Sequence, residues 1–224
     1  TGVDTRRLVK FLTKNKCAHK SVITLSEKGP SADEFKNSKL ITDDLHLVSQ
    51  ASDEIIIPGE NPIVLINYGV KTAILDELKK LHYPLVTVPY HRSAEYILKM
   101  NPRLIFLSNG PGDPRNYHPQ IAEIKKLVQQ NIPIRAICLG HQLIALSLDI
   151  KVIKLPFGQR GANHPVIDHT NNKILITSQN HGYAIDTSSF ESKKKNNLAD
   201  KEFFIWHTSL FDDSIEGIAT TDHQ

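Results

Sequence analysis

Ile134-Arg135-Ala136-Ile137-Cys138-Leu139-Gly140-His141-Gln142 is the stretch on which the reading of this chain turns. A short apolar strand runs into a cysteine, a glycine follows two positions on, and the spacing then becomes helical to about residue 148. Strand, sharp turn and helix with the reactive residue at the turn make a nucleophile elbow, here with cysteine in place of serine. Small residues at Ala136 and Gly140 leave room for the turn. The side chain then projects from the carboxyl ends of the strands. The amino end of the following helix favours thiolate over thiol. A thiolate attacks a carbonyl carbon and forms a thioester, and the backbone N–H of Leu139 is placed to stabilise the oxyanion. Two other readings fit the same residues. One is a buried structural cysteine, since free cysteines are among the most buried side chains. The other is a zinc site, with Cys138 and His141 spaced C-x-x-H and Cys17 and His19 spaced C-x-H. Those pairs sit in unlike contexts and nothing else has ligand spacing, so no metal is expected.

Working outward from the elbow, strands and helices alternate. Apolar runs at 63–66, 85–88 and 103–107 read as buried strands. Val70, Ile74, Leu78 and Leu81 share one helical face, Ser93 caps a helix over 94–100, and Ile121, Ile124, Leu127 and Val128 line a helix over 119–130. Such alternation builds βαβ units, hence an α/β fold with a mostly parallel open sheet flanked by helices. Beyond Lys151 the strands at 152–155, 166–168, 174–178 and 203–207 come without clear helices, which predicts an antiparallel extension; 191–202, rich in Lys and Asn, reads as an exposed loop. Before the sheet, residues 4–15 form an amphipathic helix pattern with Asp4 or Thr5 as cap, and 22–25 a short strand; 28–59 reads as a connector with room for a short helix. The breaker pairs Pro58-Gly59 and Asn61-Pro62 divide the chain into 1–61 and 62–224.

Two further segments carry candidate chemistry. Leu107-Ser108-Asn109-Gly110-Pro111-Gly112-Asp113-Pro114 follows a strand and specifies a rigid loop with exposed N–H groups; a plain βα turn is the simpler reading. It does not fit G-x-G-x-x-G, which argues against a dinucleotide. Ser178-Gln179-Asn180-His181-Gly182-Tyr183 closes a strand with a carboxamide, a flexible glycine and an aromatic wall, or is a β-turn with a surface histidine. The charge balance, 27 basic against 24 acidic residues for a net +3, is too mild for a nucleic-acid or anionic-lipid binder. No apolar run approaches a membrane span. Two cysteines make no disulfide framework, so a reducing, cytoplasmic setting is expected.

Together, I-C-L-G-H-Q, F-L-S-N-G-P-G-D-P and S-Q-N-H-G-Y, in this chain at 137–142, 106–114 and 178–183, resemble the class I, triad-type glutamine amidotransferases, with a flavodoxin-like sheet. Further stretches resemble the carbamoyl phosphate synthase small-chain family: Gly2-Val3-Asp4-Thr5-Arg6-Arg7-Leu8, Tyr68-Gly69-Val70-Lys71, Phe157-Gly158, Gly161-Ala162-Asn163-His164-Pro165-Val166, Ser209-Leu210-Phe211-Asp212-Asp213 and Glu216-Gly217-Ile218. The resemblance implies that Cys138 attacks the side-chain amide of L-glutamine and that Gly110, Gly112 and Leu139 line the oxyanion region. It implies that Gln142, Asn180, Gly182 and Tyr183 hold the two ends of the substrate. It implies no cofactor in this chain. The partner is a large subunit, which takes the ammonia and uses ATP, Mg and bicarbonate to make carbamoyl phosphate for arginine and pyrimidine biosynthesis. Three departures stand out. Ala136 replaces a usual glycine and Asn67 a usual aspartate. The family's catalytic His and Glu, in a G-H-P-E segment, occur nowhere in the 224 residues. The chain therefore reads as a fragment of a longer protein, inactive alone. Alternatives are a scaffold subunit without chemistry and the glutaminase subunit of a chorismate-using synthase.

Overall fold

Ile63-Val64-Leu65-Ile66 forms the centre of a five-stranded sheet. The computed structural model of the chain describes residues 4–15, 29–37, 53–194 and 202–221. Strands β1 (Glu54–Ile57), β2 (Ile63–Asn67), β3 (Leu85–Pro89), β4 (Leu104–Leu107) and β5 (Ile134–Ala136) lie in the order β1-β3-β2-β4-β5. β2 to β5 are parallel; β1 runs antiparallel to β3 at the edge. The period of two sorts the β2 side chains between two cores. Val64 and Ile66 join Ile124, Leu127 and Leu143 on one face, while Ile63 and Leu65 join Leu78 and Phe106 on the other. A strand buried on both faces has no polar side, which is why the run is unbroken.

Helices α1 (Thr5–Asn15) and α2 (Ala32–Asn37) precede the sheet; α3 (Thr72–Lys79), α4 (Ala94–Leu98) and α5 (His118–Val128) connect its strands, and α6 (Leu139–Ser147) follows the last of them. The expected cap is in place: Ser93 Oγ accepts from the Tyr96 N–H at 3.2 Å. Omitting the edge strand, the order β3-β2-β4-β5 is that of a doubly wound sheet, whose topological switch point opens a crevice between the ends of β2 and β4.

The antiparallel strands also form, with a different extent. β6 (Val152–Asp168) and β7 (Lys173–Ile185) are long and continuous, and with β8 (Phe203–Ser209) and β9 (Ile215–Thr220) they close into a four-stranded barrel, β6-β7-β9-β8. Residues 152–155 and 166–168, read as separate strands, are the two ends of β6; register shifts at Lys154/Gln159 and Gly161/His164 lie between them. Helix α7 (Thr187–Lys194) occupies part of the stretch read as a loop. Its apolar content is low and Phe190 alone supplies its deeply buried anchor, so no amphipathic stripe advertises it. β1 was likewise not expected. It lies before the Asn61-Pro62 breaker and yet hydrogen-bonds into the sheet through β3. The strand expected at 22–25 and the pair Cys17 and His19 lie outside the described residues.

Candidate active site

Cys138 stands between β5 and α6 with φ 51° and ψ −107°. Positive φ is costly for a residue with a Cβ, and here it turns the chain from strand to helix within one residue. The turn is held from both sides: the Gly140 N–H donates to Ile137 O (3.0 Å) and Ser108 O (3.2 Å), and Gln142 N–H to Cys138 O (3.1 Å). Gly140 is needed where it is. A Cβ there would lie 2.6 Å from Leu107 O and 2.7 Å from Leu107 Cβ. The expected elbow is thus present, seated against the end of β4.

The second motif packs beside it. Ser108 Oγ accepts from the Tyr68 N–H (2.9 Å), and Asn109 bridges the neighbouring loop, donating to Gly69 O (3.1 Å) and accepting from Lys71 N–H (3.3 Å). Gly110 sits so close to Tyr68 and Leu139 that a Cβ would overlap both; Gly112 has φ 89°. Asn67 ties the loop after β2: its Oδ1 accepts from the N–H groups of Gly69 and Val70, each at 2.9 Å. That cap needs only one oxygen, which an amide supplies as well as a carboxylate.

Cys138 opens on a cavity of about 640 Å³ whose wall includes Lys71, Asn109, His141, Gln142, Asn180, His181, Tyr183, His207 and Glu216. Among the residues expected to bind, Gln142, Asn180 and Tyr183 line it with Cys138. Gly110, Gly112, Leu139 and Gly182 do not; Gly110 and Leu139 lie in or against the elbow, and Leu139 is buried. Of the two readings of the third motif, the turn is not the one found. Residues 178–183 are not a turn but run within β7, with His181 opposite Gln159 and Asn180 opposite Arg160 on β6. His181 is consequently half-buried rather than on the surface.

Sequence reasoning gave no role to Lys71, His207 or Glu216. Glu216 Oε2 lies 3.2 Å from His181 Nε2. Its spacing carried no signal, because β9 and β7 meet only in the folded barrel. Gln142 is the link between the two halves of the site. From α6, its Nε2 donates to the Tyr183 carbonyl at 2.8 Å, and His181 Nδ1 lies 2.9 Å from the same oxygen. Behind Tyr183, Arg115 makes a bidentate pair with Asp113 (2.6 and 2.9 Å), and its guanidinium lies 5.6 Å from the Tyr183 ring.

Burial pushes the Cys138 thiol above its ordinary pKa; the Leu139 N–H and the Lys71 ammonium pull it back, and Glu216 pushes it further up. Burial lowers His141 to about 4, and its Nε2 is shielded without a partner. Burial also works against a charged His181, but the close contact with Glu216 and its charge outweigh it and raise its pKa. His207 is lowered by burial, partly offset by Asp168 at 3.8 Å. Among the described residues no group of His, Cys, Asp and Glu could hold a metal ion.

The elbow cysteine, Asn109 of the glycine loop and a polar wall from α6 and the barrel thus face one cavity. Residues 64–224 match the family model for class-I glutamine amidotransferases, and the chain belongs to that family. In sequence it is similar to the carbamoyl phosphate synthase small chain of Listeria innocua, at 38% identity over all of this chain and 59% of the relative. It is also similar to the protein of that name from Neisseria meningitidis serogroup B, at 43% over 75% of this chain and 42% of the relative. The chain thus spans about three-fifths of the length of the Listeria relative. In fold it resembles a putative GMP synthase subunit from Thermoplasma acidophilum, with a TM-score of 0.58 at 20% identity over 74% of this chain and 81% of that one. No helix among the described residues is long and apolar enough to cross a membrane.

Proposed function

We propose that this chain supplies the glutamine-hydrolysing site of a carbamoyl phosphate synthase small subunit. The observation that carries the reading is Cys138 in a strained elbow, opening on a cavity walled by Gln142, Asn180 and Tyr183. A cavity of about 640 Å³ is in the size range of small-molecule sites.

In this mechanism the Cys138 sulfur adds to the carbonyl carbon of the glutamine side chain. The Leu139 and Gly110 N–H groups receive the oxyanion, with Gly112 shaping the loop. The C–N bond breaks, nitrogen leaves as ammonia after gaining a proton, and a glutamyl thioester remains. Water then adds and the C–S bond breaks, giving glutamate and the free thiol. With its Nε2 committed to Tyr183 O, Gln142 turns its oxygen to the work of accepting, as an α-ammonium group requires. Asn180, Gly182 and Tyr183 complete the grip on the α-amino and α-carboxylate ends. Proton transfer from the thiol needs a base. The family's G-H-P-E pair is its source in this reading, and the 224 residues alone are expected to turn glutamine over poorly. The ammonia goes to a large subunit that uses ATP, Mg and bicarbonate, in arginine and pyrimidine synthesis in the cytoplasm; this chain itself takes no cofactor.

The test is ammonia release from L-glutamine by the whole protein with its partner, for wild type and Cys138→Ser. The variant is expected to lose release while still making carbamoyl phosphate from added ammonia. Unchanged release would sink the reading. Co-purification with a chorismate-using enzyme instead of an ATP-dependent synthetase would reassign the pathway.

A further inference from the structure

His181 faces an acceptor on each side. Nδ1 is 2.9 Å from the Tyr183 carbonyl oxygen, which can only accept, so Nδ1 carries a proton. Nε2 is 3.2 Å from Glu216 Oε2, with the two side chains only 10% and 8% exposed. The contact is at an ion-pair distance rather than an aligned hydrogen bond, and a neutral ring with its proton on Nδ1 would set a bare Nε2 beside a carboxylate in a poorly solvated site. The contact is attractive only if the ring carries a second proton. Glu216 Oε1 is 2.8 Å from Ser214 Oγ, a hydroxyl able to donate to it. Ser214 Oγ also lies 2.7 Å from Asp212 Oδ1 and accepts from Gln159 Nε2 at 3.0 Å, and Gln159 Nε2 reaches both Asp212 oxygens at 2.9 Å. The single Ser214 hydroxyl proton is thus shared between Asp212 and Glu216, which ties the Glu216 side chain to the β8–β9 turn.

We infer that His181 and Glu216 form an imidazolium–carboxylate pair holding one proton, and that this pair positions the cavity wall opposite Cys138. The positioning runs through one atom. The Tyr183 carbonyl receives both His181 Nδ1 and Gln142 Nε2, so the ring fixed by Glu216 from β9 sets the strand edge on which Gln142 from α6 is anchored. The pair also sets the charge facing the sulfur. With its proton it is neutral in sum; without it the wall carries a net negative charge, which disfavours the thiolate. The other titratable or charged groups facing this region are His141 and Cys138 at α6, Lys71 before α3, Arg135 on β5, His207 on β8 and Asp212 in the β8–β9 turn. His141 is neutral at physiological pH, burial lowers His207, and Asp212 is held by its own donors; of the cations on the wall, Lys71 and Arg135, Lys71 is the one that acts on the Cys138 sulfur against the loss. Glu216 raises the proton affinity of His181. The proton is therefore present below the ordinary histidine midpoint and is lost only as pH rises through a higher one.

The pair is testable without turnover; only the positioning arm rests on the glutaminase reading. The ring nitrogens of His181 are followed by nitrogen-15 NMR in the full-length chain, assigned by the signal missing in His181→Gln. At about pH 7.5, a unit above the usual midpoint, both nitrogens should be protonated. In Glu216→Gln, Nε2 should be bare at that pH while Nδ1 keeps its proton, a loss of about tenfold or more in proton affinity. A bare Nε2 in the wild type, or one midpoint in both proteins, overturns the pair; the wild-type spectrum decides even where the variant does not fold. In the whole enzyme, Glu216→Gln should raise KM for glutamine by more than it lowers kcat, and wild-type KM should climb as the His181 proton is lost. A fall in kcat with KM unmoved overturns the positioning role. A wild type with no glutaminase activity overturns the proposed function instead and leaves the NMR result standing.

Discussion

Replacing Cys138 with glycine, and separately with alanine, isolates the strain in the elbow. Both variants remove the sulfur, so burial of the thiol and its charge interactions drop out of the comparison. Alanine keeps a Cβ at φ 51° and ψ −107°, whereas glycine has none. At an ordinary position glycine is less stable than alanine by about 0.5–1 kcal/mol, because its unfolded chain has more freedom to lose. Holding a residue with a Cβ in a sparsely populated backbone region costs about 1–3 kcal/mol. The difference, roughly 0–2.5 kcal/mol and centred near 1, favours glycine, so the usual order inverts. For a chain of this size, about 1 kcal/mol corresponds to a shift of about 2–4 °C in Tm. Equilibrium urea denaturation and thermal melts of the two variants read this directly. Neither variant should release ammonia from glutamine, so stability and activity part company at this residue. A glycine variant less stable than the alanine variant by the ordinary margin would show that the turn at Cys138 is relaxed, and the elbow argument would fall with it.

Gly140→Ala should destabilise the fold by about 1–3 kcal/mol, because its Cβ would press on β4, which is paired on both sides and cannot retreat; a urea midpoint equal to wild type would mean that α6 is not seated there. Lowered to about 4 from 6.5, His141 binds its proton in the unfolded chain before it does in the folded one. Stability should therefore fall as pH drops from 6.5 towards 4, by at most about 1.4 kcal/mol per pH unit, and His141→Gln should flatten that part of the stability profile. Lys71→Met should slow iodoacetamide alkylation of Cys138 in the folded protein at fixed pH, since its ammonium favours the thiolate; an unchanged rate would place that charge out of reach of the sulfur.

The parallel sheet was legible because each of its strands is a local signal: an unbroken apolar run followed by a helix pattern or a turn. Ser93, Gly110, Cys138 and Gly140 could be placed from their neighbours alone. What escaped the sequence is of a different kind. β1 has two exposed positions, Glu54 and Ile55, and depends on β3 for its hydrogen bonds, so nothing local separates it from the connector around it. α7 was hidden by its polar composition. Residues 178–183 look like a turn because Asn and Gly favour turns, but pairing along β6 outweighs that preference and keeps them extended.

That difference in legibility follows the division of labour in the site. Cys138, Gly110 and Leu139 are held by backbone contacts within the parallel unit, where β4 and the helix after β5 meet. Asn180, His181, Tyr183 and Glu216 belong to the barrel and owe their places to pairing between distant strands. The chemistry in the proposed reaction thus rests on one unit and much of the recognition on the other. The hydrogen bond from Gln142 to the Tyr183 carbonyl joins them directly. A small shift of the barrel against α6 would leave the elbow intact and still open the grip on the substrate. Damage to β7 or β9 should therefore weaken glutamine binding before it touches the reactivity of the thiol. Damage to the Gly110 or Gly140 contacts should do the reverse.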